Sequence, residues 1–204
     1  LGGLREVQSK FFGTIKNVYN FFTLYANTDG VDPREFFVPY EQRPEMDHWI
    51  LSRFNSLQAS VEADLEKYDM TRAIRRMQDF VNEDLSNWFI RRPRRRFWAS
   101  ELTQDKKAVY NTTYEVLVNF AQMIAPFAPF LSEEIYRNLT GELSVHLSKY
   151  PTADPEQIDP DLEETMDLVR SLVALGRASR ESARIKVRQP IREILVDGKY
   201  ESRI

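Results

Sequence analysis

Residues 91–96 read Arg91-Arg92-Pro93-Arg94-Arg95-Arg96, five arginines in six positions. Guanidinium groups held this close repel one another in water. Phosphate oxygens relieve that repulsion, because the planar fork of arginine meets them with paired hydrogen bonds. Aromatic pairs bracket the cluster, Trp88-Phe89 before it and Phe97-Trp98 after it, with Asn87 at its leading edge. Such rings can stack on unpaired bases, each worth about 1–3 kcal/mol in single-strand binders. An RNA loop offers both targets together, dense phosphate and splayed bases. The chemistry points to anion binding, with Asn87, Arg91, Arg92, Arg94, Arg95, Arg96, Phe97 and Trp98 as the candidate RNA-binding residues.

A plainer role for the arginines is weaker. Cations near a helix C-terminus complement its dipole by about 0.3–1 kcal/mol, but one or two charges suffice for that. Trp88 falls on the apolar stripe of its helix and reads as core first, base-stacker second. For Phe97 and Trp98, beyond the proline, core packing and RNA contact stand level. Lesser RNA-binding candidates are Lys106 and Lys107, which oppose the dipole at a helix start, where a plain surface role explains them equally well. Arg188 closes a basic stretch, with Arg177, Arg180, Arg184 and Lys186, that fits either RNA backbone or another protein domain. Arg72, Arg75 and Arg76 read as a solvated face.

The net charge of −3 does not by itself advertise nucleic-acid binding, but its distribution does. Acids gather elsewhere, notably over residues 154–167, leaving one dense positive focus. That pattern implies a localised anionic partner. With 42% hydrophobic and 29% charged residues, the chain is expected to fold as an ordinary globular protein rather than remain disordered. No apolar run approaches the roughly 18–20 residues of a membrane span, so no membrane partner is expected. The absence of cysteine excludes disulfides and thiolate metal sites, and suits a cytoplasmic location. The opening Leu1-Gly2-Gly3-Leu4-Arg5 has no initiator Met or signal-peptide layout, and a strand-like run lies close to Ile204. Both ends are expected to continue into a longer chain.

Apolar residues recur mostly at helical spacing. The first helix is expected over residues 4–25, with Phe12, Ile15, Tyr19, Phe22 and Tyr25 inward. Pro33, Pro39 and Pro44 make 27–44 a crossover loop. A second helix follows over 46–67. The third, capped by Asp69, buries Ala73, Met77, Phe80, Val81, Leu85 and Trp88 until Pro93 breaks it. Helices are expected over 105–124 and 130–139, the latter stopped by Thr140-Gly141. Asp159-Pro160 opens a last long helix whose inner face carries Leu162, Met166, Val169, Val173 and Leu175. Ile191, Ile194, Leu195 and Val196 suggest a strand. The expected fold is all-α, an antiparallel helical bundle over 1–150, followed by a C-terminal helix and a short α/β tail over 151–204.

The run from Asn87 to Trp98 resembles the motif of the isoleucyl-tRNA synthetase anticodon-binding domain, with Pro93 where that family more often has a small polar residue. Trp49-Ile50-Leu51-Ser52-Arg53 is similar to the segment opening an earlier helix of the family's bundle. Ala125-Pro126-Phe127-Ala128-Pro129-Phe130-Leu131-Ser132-Glu133-Glu134 resembles a segment shared by the synthetases for valine, leucine, isoleucine and methionine. The resemblance implies a helical bundle beside the anticodon stem-loop of isoleucine tRNA, within an enzyme that charges that tRNA using ATP and Mg. It also implies the remaining domains of that enzyme as partners.

The class I activation motifs, His-Ile-Gly-His and Lys-Met-Ser-Lys-Ser, do not occur here, nor does a glycine-rich phosphate loop. His48 and His146 stand apart from any ligand cluster, and Glu133 and Glu134, as helix neighbours, point about 100° apart. No catalytic residue, metal site or cofactor is expected in this piece, and it is expected to be inactive alone. Two other readings remain: the corresponding domain of a valyl- or leucyl-tRNA synthetase, and a helical interaction module whose arginines bind acidic proteins.

Overall fold

A computed structural model describes residues 8–198, which form two compact units dividing after Ile158. Among the described residues, the first unit is built on six helices joined by loops and short 3-10 turns. Helix α1 begins as a π-helical turn, Gln8–Phe12, and continues as an α-helix over Gly13–Asp29. The expected start at residue 4 lies outside the described residues. Helix α2 spans Glu45–Glu66. Helix α3 is an α-helix over Met70–Asp79 that widens to a π-helix over Phe80–Ile90. Helix α4 is the short Arg94–Trp98, α5 is Gln104–Ile124 and α6 is Pro129–Thr140.

Local chemistry explains most of these boundaries. Asp69 caps α3 by accepting the Arg72 N–H, and Thr103 caps α5 through Lys106 N–H. Gly30 (φ 64°) and Gly141 (φ 75°) end α1 and α6 in the left-handed conformation that a side chain disfavours. The crossover loop has no helix beyond one short turn, Tyr40–Gln42, so its backbone polar groups need side-chain partners. Asn111 of α5 supplies them: its Oδ1 accepts from Val38 N–H at 2.8 Å, and its Nδ2 donates to Pro33 and Phe36 carbonyls. Arg43 adds bonds to the Val38 carbonyl and Glu115.

The core gathers Trp49, Ile50, Val61, Met77, Val81, Leu85, Tyr110 and Phe120, all under 2% exposed. Burial on α1 runs through Phe11, Ile15, Val18, Phe22 and Ala26, rather than the expected Phe12, Tyr19 and Tyr25, which are only half-buried. His48 stacks on Tyr40 (4.3 Å) and bonds its carbonyl. Glu133 accepts from Ser144 and Val145, tethering the turn after α6, while its neighbour Glu134 is exposed.

The second unit contains helix α7, Pro160–Ser182, capped by Asp159 through the Leu162 N–H. Leu162, Met166, Val169 and Val173 are half-buried along it, whereas Leu175 is 64% exposed. Arg180 donates to the Lys186 and Gln189 carbonyls, fastening the segment that follows. No strand forms among the described residues, and Ile191 to Val196 are exposed. A strand needs a partner strand to share its hydrogen bonds, and no other strand forms among the described residues. Residues 151–158, expected with the C-terminal piece, sit in the first unit, where Asp154 N–H donates to Asn55 Oδ1 at 2.7 Å.

Candidate nucleic-acid interface

The π-helical stretch of α3 sets which aromatic ring faces outward before the arginines. Its i→i+5 hydrogen bonding adds most of a residue to each turn. The buried positions accordingly step in pairs, Phe80-Val81, Asp84-Leu85 and Phe89-Ile90. An ordinary helix would have brought Trp88 onto that stripe; widening replaces it with Phe89 and Ile90. Trp88 is left half-buried, and Arg92 lies over its ring at 4.3 Å, a cation–π contact. Asn87, Arg91 and Arg92 are exposed.

Pro93 then breaks the chain direction and α4 begins at once. Arg94 and Arg95 are exposed, with Arg94 5.5 Å from the Phe21 ring of α1. Arg96 is different. Its guanidinium meets Asp47 with both ends of the fork, at 2.5 and 2.9 Å, and reaches the Asp105 carbonyl and carboxylate, each at 2.9 Å. Burial works against its charge, but the two carboxylates outweigh that and hold it more firmly protonated than a free arginine. Arg96 is therefore a structural residue, not a free phosphate binder.

Phe97 and Trp98, level on sequence grounds, separate clearly. Phe97 is 1% exposed and sits among Phe21, Tyr25 and Tyr110, with ring centroids 5.1–6.2 Å away. It belongs to the core and cannot stack on a base. Trp98 is 57% exposed, its Nε1–H donating to Tyr25 Oη at 2.8 Å, which orients the indole while leaving a face to solvent.

Lys106 also moves inward. It is 2% exposed, with Nζ donating to the Ala99 carbonyl at 2.5 Å and pairing with Asp29 at 2.7 Å. Tyr110 donates to the same carboxylate, and burial together with that bond pushes its phenol strongly upward in pKa, so it stays protonated. The side chain of Lys106 spans from the start of α5 to the end of α4 and has no reach to RNA. Lys107 is half-buried, 5.7 Å from the Phe36 ring. Arg188 is exposed in the second unit. Of the α3 arginines, Arg72 and Arg76 pair with Asp64, and Arg75 is exposed.

These placements leave four exposed arginines and one exposed ring on either side of Pro93. Arg91, Arg92, Arg94 and Arg95 have no carboxylate partner among the described residues, and Trp98, on the same short helix as Arg94 and Arg95, keeps its oriented indole exposed. Phosphates would relieve the first group's repulsion, and a base would cover the second. Phe21 and Tyr25, which shape this surface from α1, are not among the RNA-binding candidates read from sequence, where Tyr25 figures only as an inward residue of the first helix and Phe21 not at all. Their signal is an aromatic pair four residues apart, one helical turn, near the end of that helix.

The family model for the anticodon-binding domain of tRNA ligase matches residues 47–195. The chain belongs to that family. The matched span of this anticodon-binding domain includes every arginine of the cluster and both carboxylates that hold Arg96. Among curated relatives, it is 44% identical to the isoleucine–tRNA ligase of Porphyromonas gingivalis over 195 residues, which is 95% of this chain and 17% of that protein. It is 46% identical to the isoleucine–tRNA ligase of Clostridium novyi over 202 residues, covering 96% and 19%. The chain thus spans less than a fifth of the length of these relatives. Among the described residues, no helix is long and apolar enough to cross a membrane.

Proposed function

We propose that this anticodon-binding domain grips the anticodon stem-loop of isoleucine tRNA, as one part of an isoleucine–tRNA ligase acting in the cytoplasm. The observation carrying this reading is the combination of four exposed arginines, without a carboxylate partner among the described residues, and the oriented, exposed Trp98 on a docked α4. Arg91, Arg92, Arg94 and Arg95 hold phosphates, and Trp98 takes an unpaired base on its open face. Activation of isoleucine with ATP and Mg, and transfer to the tRNA, belong to the remaining domains of that larger enzyme. The names of the relatives support isoleucine as the amino acid.

Titration of the chain with isoleucine tRNA and with a non-cognate tRNA tests the reading directly. Tighter binding of the cognate species is expected. Equal affinities would remove the isoleucine assignment, and no binding of either at low salt would leave an acidic protein as the partner of the arginines. Trp98→Ala is expected to weaken binding by about 1–3 kcal/mol while leaving the salt dependence nearly unchanged, since stacking releases no counterions. A clear fall in the salt slope for that variant would place Trp98 near phosphates instead of bases.

A further inference from the structure

A helix of five residues has too few internal hydrogen bonds to persist alone. Helix α4 has no side-chain cap at Pro93, so its placement must come from tertiary contacts. Arg96 provides the central one. Asp47 lies in the first turn of α2 and Asp105 in the first turn of α5, where the dipole of each helix favours a carboxylate. Their grip on Arg96 docks α4 across the starts of two separate helices. At the other end, Lys106 holds the Ala99 carbonyl.

From this arrangement we infer that Asp47, with Asp105 in support, is a positioning residue for RNA recognition, acting through Arg96 to aim Arg94, Arg95 and Trp98. The inference rests on the tRNA-binding reading above. Asp47 is 0% exposed and cannot touch RNA. Any effect it has on binding must pass through α4 or through its charge, and these two routes have opposite signs. Removing a negative charge near a polyanion site strengthens binding through the field. Releasing α4 weakens it, because the side chains on that helix are no longer held in one geometry.

The test compares the 204-residue chain with its Asp47→Asn variant, using an anticodon stem-loop RNA of isoleucine tRNA as the probe. Acrylamide quenching of tryptophan fluorescence serves as the second readout. Trp98 dominates it, since Trp49 is 0% exposed and Trp88 half-buried. For a variant that still melts cooperatively, the expectation is binding weakened about tenfold, equivalent to ~1.4 kcal/mol, with altered Trp98 quenching. Where Asp47→Asn fails to fold, Asp105→Asn carries the test. Asp105 is exposed at its edge of the pair and leaves Asp47 in place. The same direction is expected with a smaller shift. Unchanged or tighter RNA binding in a folded variant overturns the inference, as does weaker binding with unchanged quenching. If the unaltered chain binds no RNA, the functional reading itself falls; the quenching data would then show separately whether Asp47 holds α4.

Discussion

Replacing Arg91, Arg92, Arg94 and Arg95 together by Ala is expected to flatten the salt dependence of RNA binding by about 3 units of log–log slope. Each phosphate no longer neutralised changes that slope by about 0.7 for a single strand and 0.9 for a duplex, and an anticodon stem-loop contains both. At ~0.15 M salt the release of four sets of counterions corresponds to roughly two orders of magnitude in affinity. The fold should survive the change. All four side chains are exposed and lack carboxylate partners among the described residues, and such surface substitutions usually stay within about 0.5 kcal/mol each. Circular dichroism and thermal melting would confirm an intact bundle, and titrations across a salt series would give the slope. An unchanged slope would mean that these guanidinium groups do not meet phosphate. Arg96 is left out of the set deliberately, because its removal would strand the buried Asp47 carboxylate and confound binding with stability.

Phe97→Ala is expected to have the largest effect on stability, a loss of about 3–5 kcal/mol for a fully buried phenylalanine. Domains of this size retain only about 5–15 kcal/mol in total, so the variant would lie near the unfolding threshold. The ring is 1% exposed and meets Phe21 and Tyr110 edge-on, an arrangement that alanine cannot replace. Urea denaturation should show a lower midpoint with little change in slope, as for a cavity in an otherwise intact fold. A loss below about 1 kcal/mol would place the ring outside the core and reopen it as a base contact. Trp98, the next residue, makes the contrast: of two adjacent aromatics on one helix, the first is buried in the core and the second is exposed.

Much of the architecture is legible in sequence because its signals are local. Asp69, Thr140-Gly141 and Asp159-Pro160 mark helix ends through bonds to residues only a few positions away, and each does so in the structure. Helices α2 and α5 carry apolar residues at regular helical spacing, and their buried faces follow it. The stripe expected on α3 holds only as far as Leu85. Beyond it, a local widening of the helix, invisible to a fixed period, moves Trp88 aside and brings Phe89 and Ile90 in. The strand expected over 191–196 does not form among the described residues for a related reason: β-forming residues specify a strand only when a partner is present.

By itself, then, the sequence determined that this is a helical bundle with one arginine-rich focus flanked by aromatic rings. It did so because composition, capping and periodicity depend on near neighbours along the chain. Which of the candidate binding residues stay exposed was decided only in three dimensions. Arg96, Phe97 and Lys106 are withdrawn by Asp47, by Tyr110 with Phe21, and by Asp29, partners on other elements whose approach no spacing rule predicts. Arg91, Arg92, Arg94, Arg95 and Trp98 remain outside because no carboxylate or core cavity reaches them among the described residues. Burial of a charge or a ring is a property of what packs against it, and that is settled by the tertiary fold.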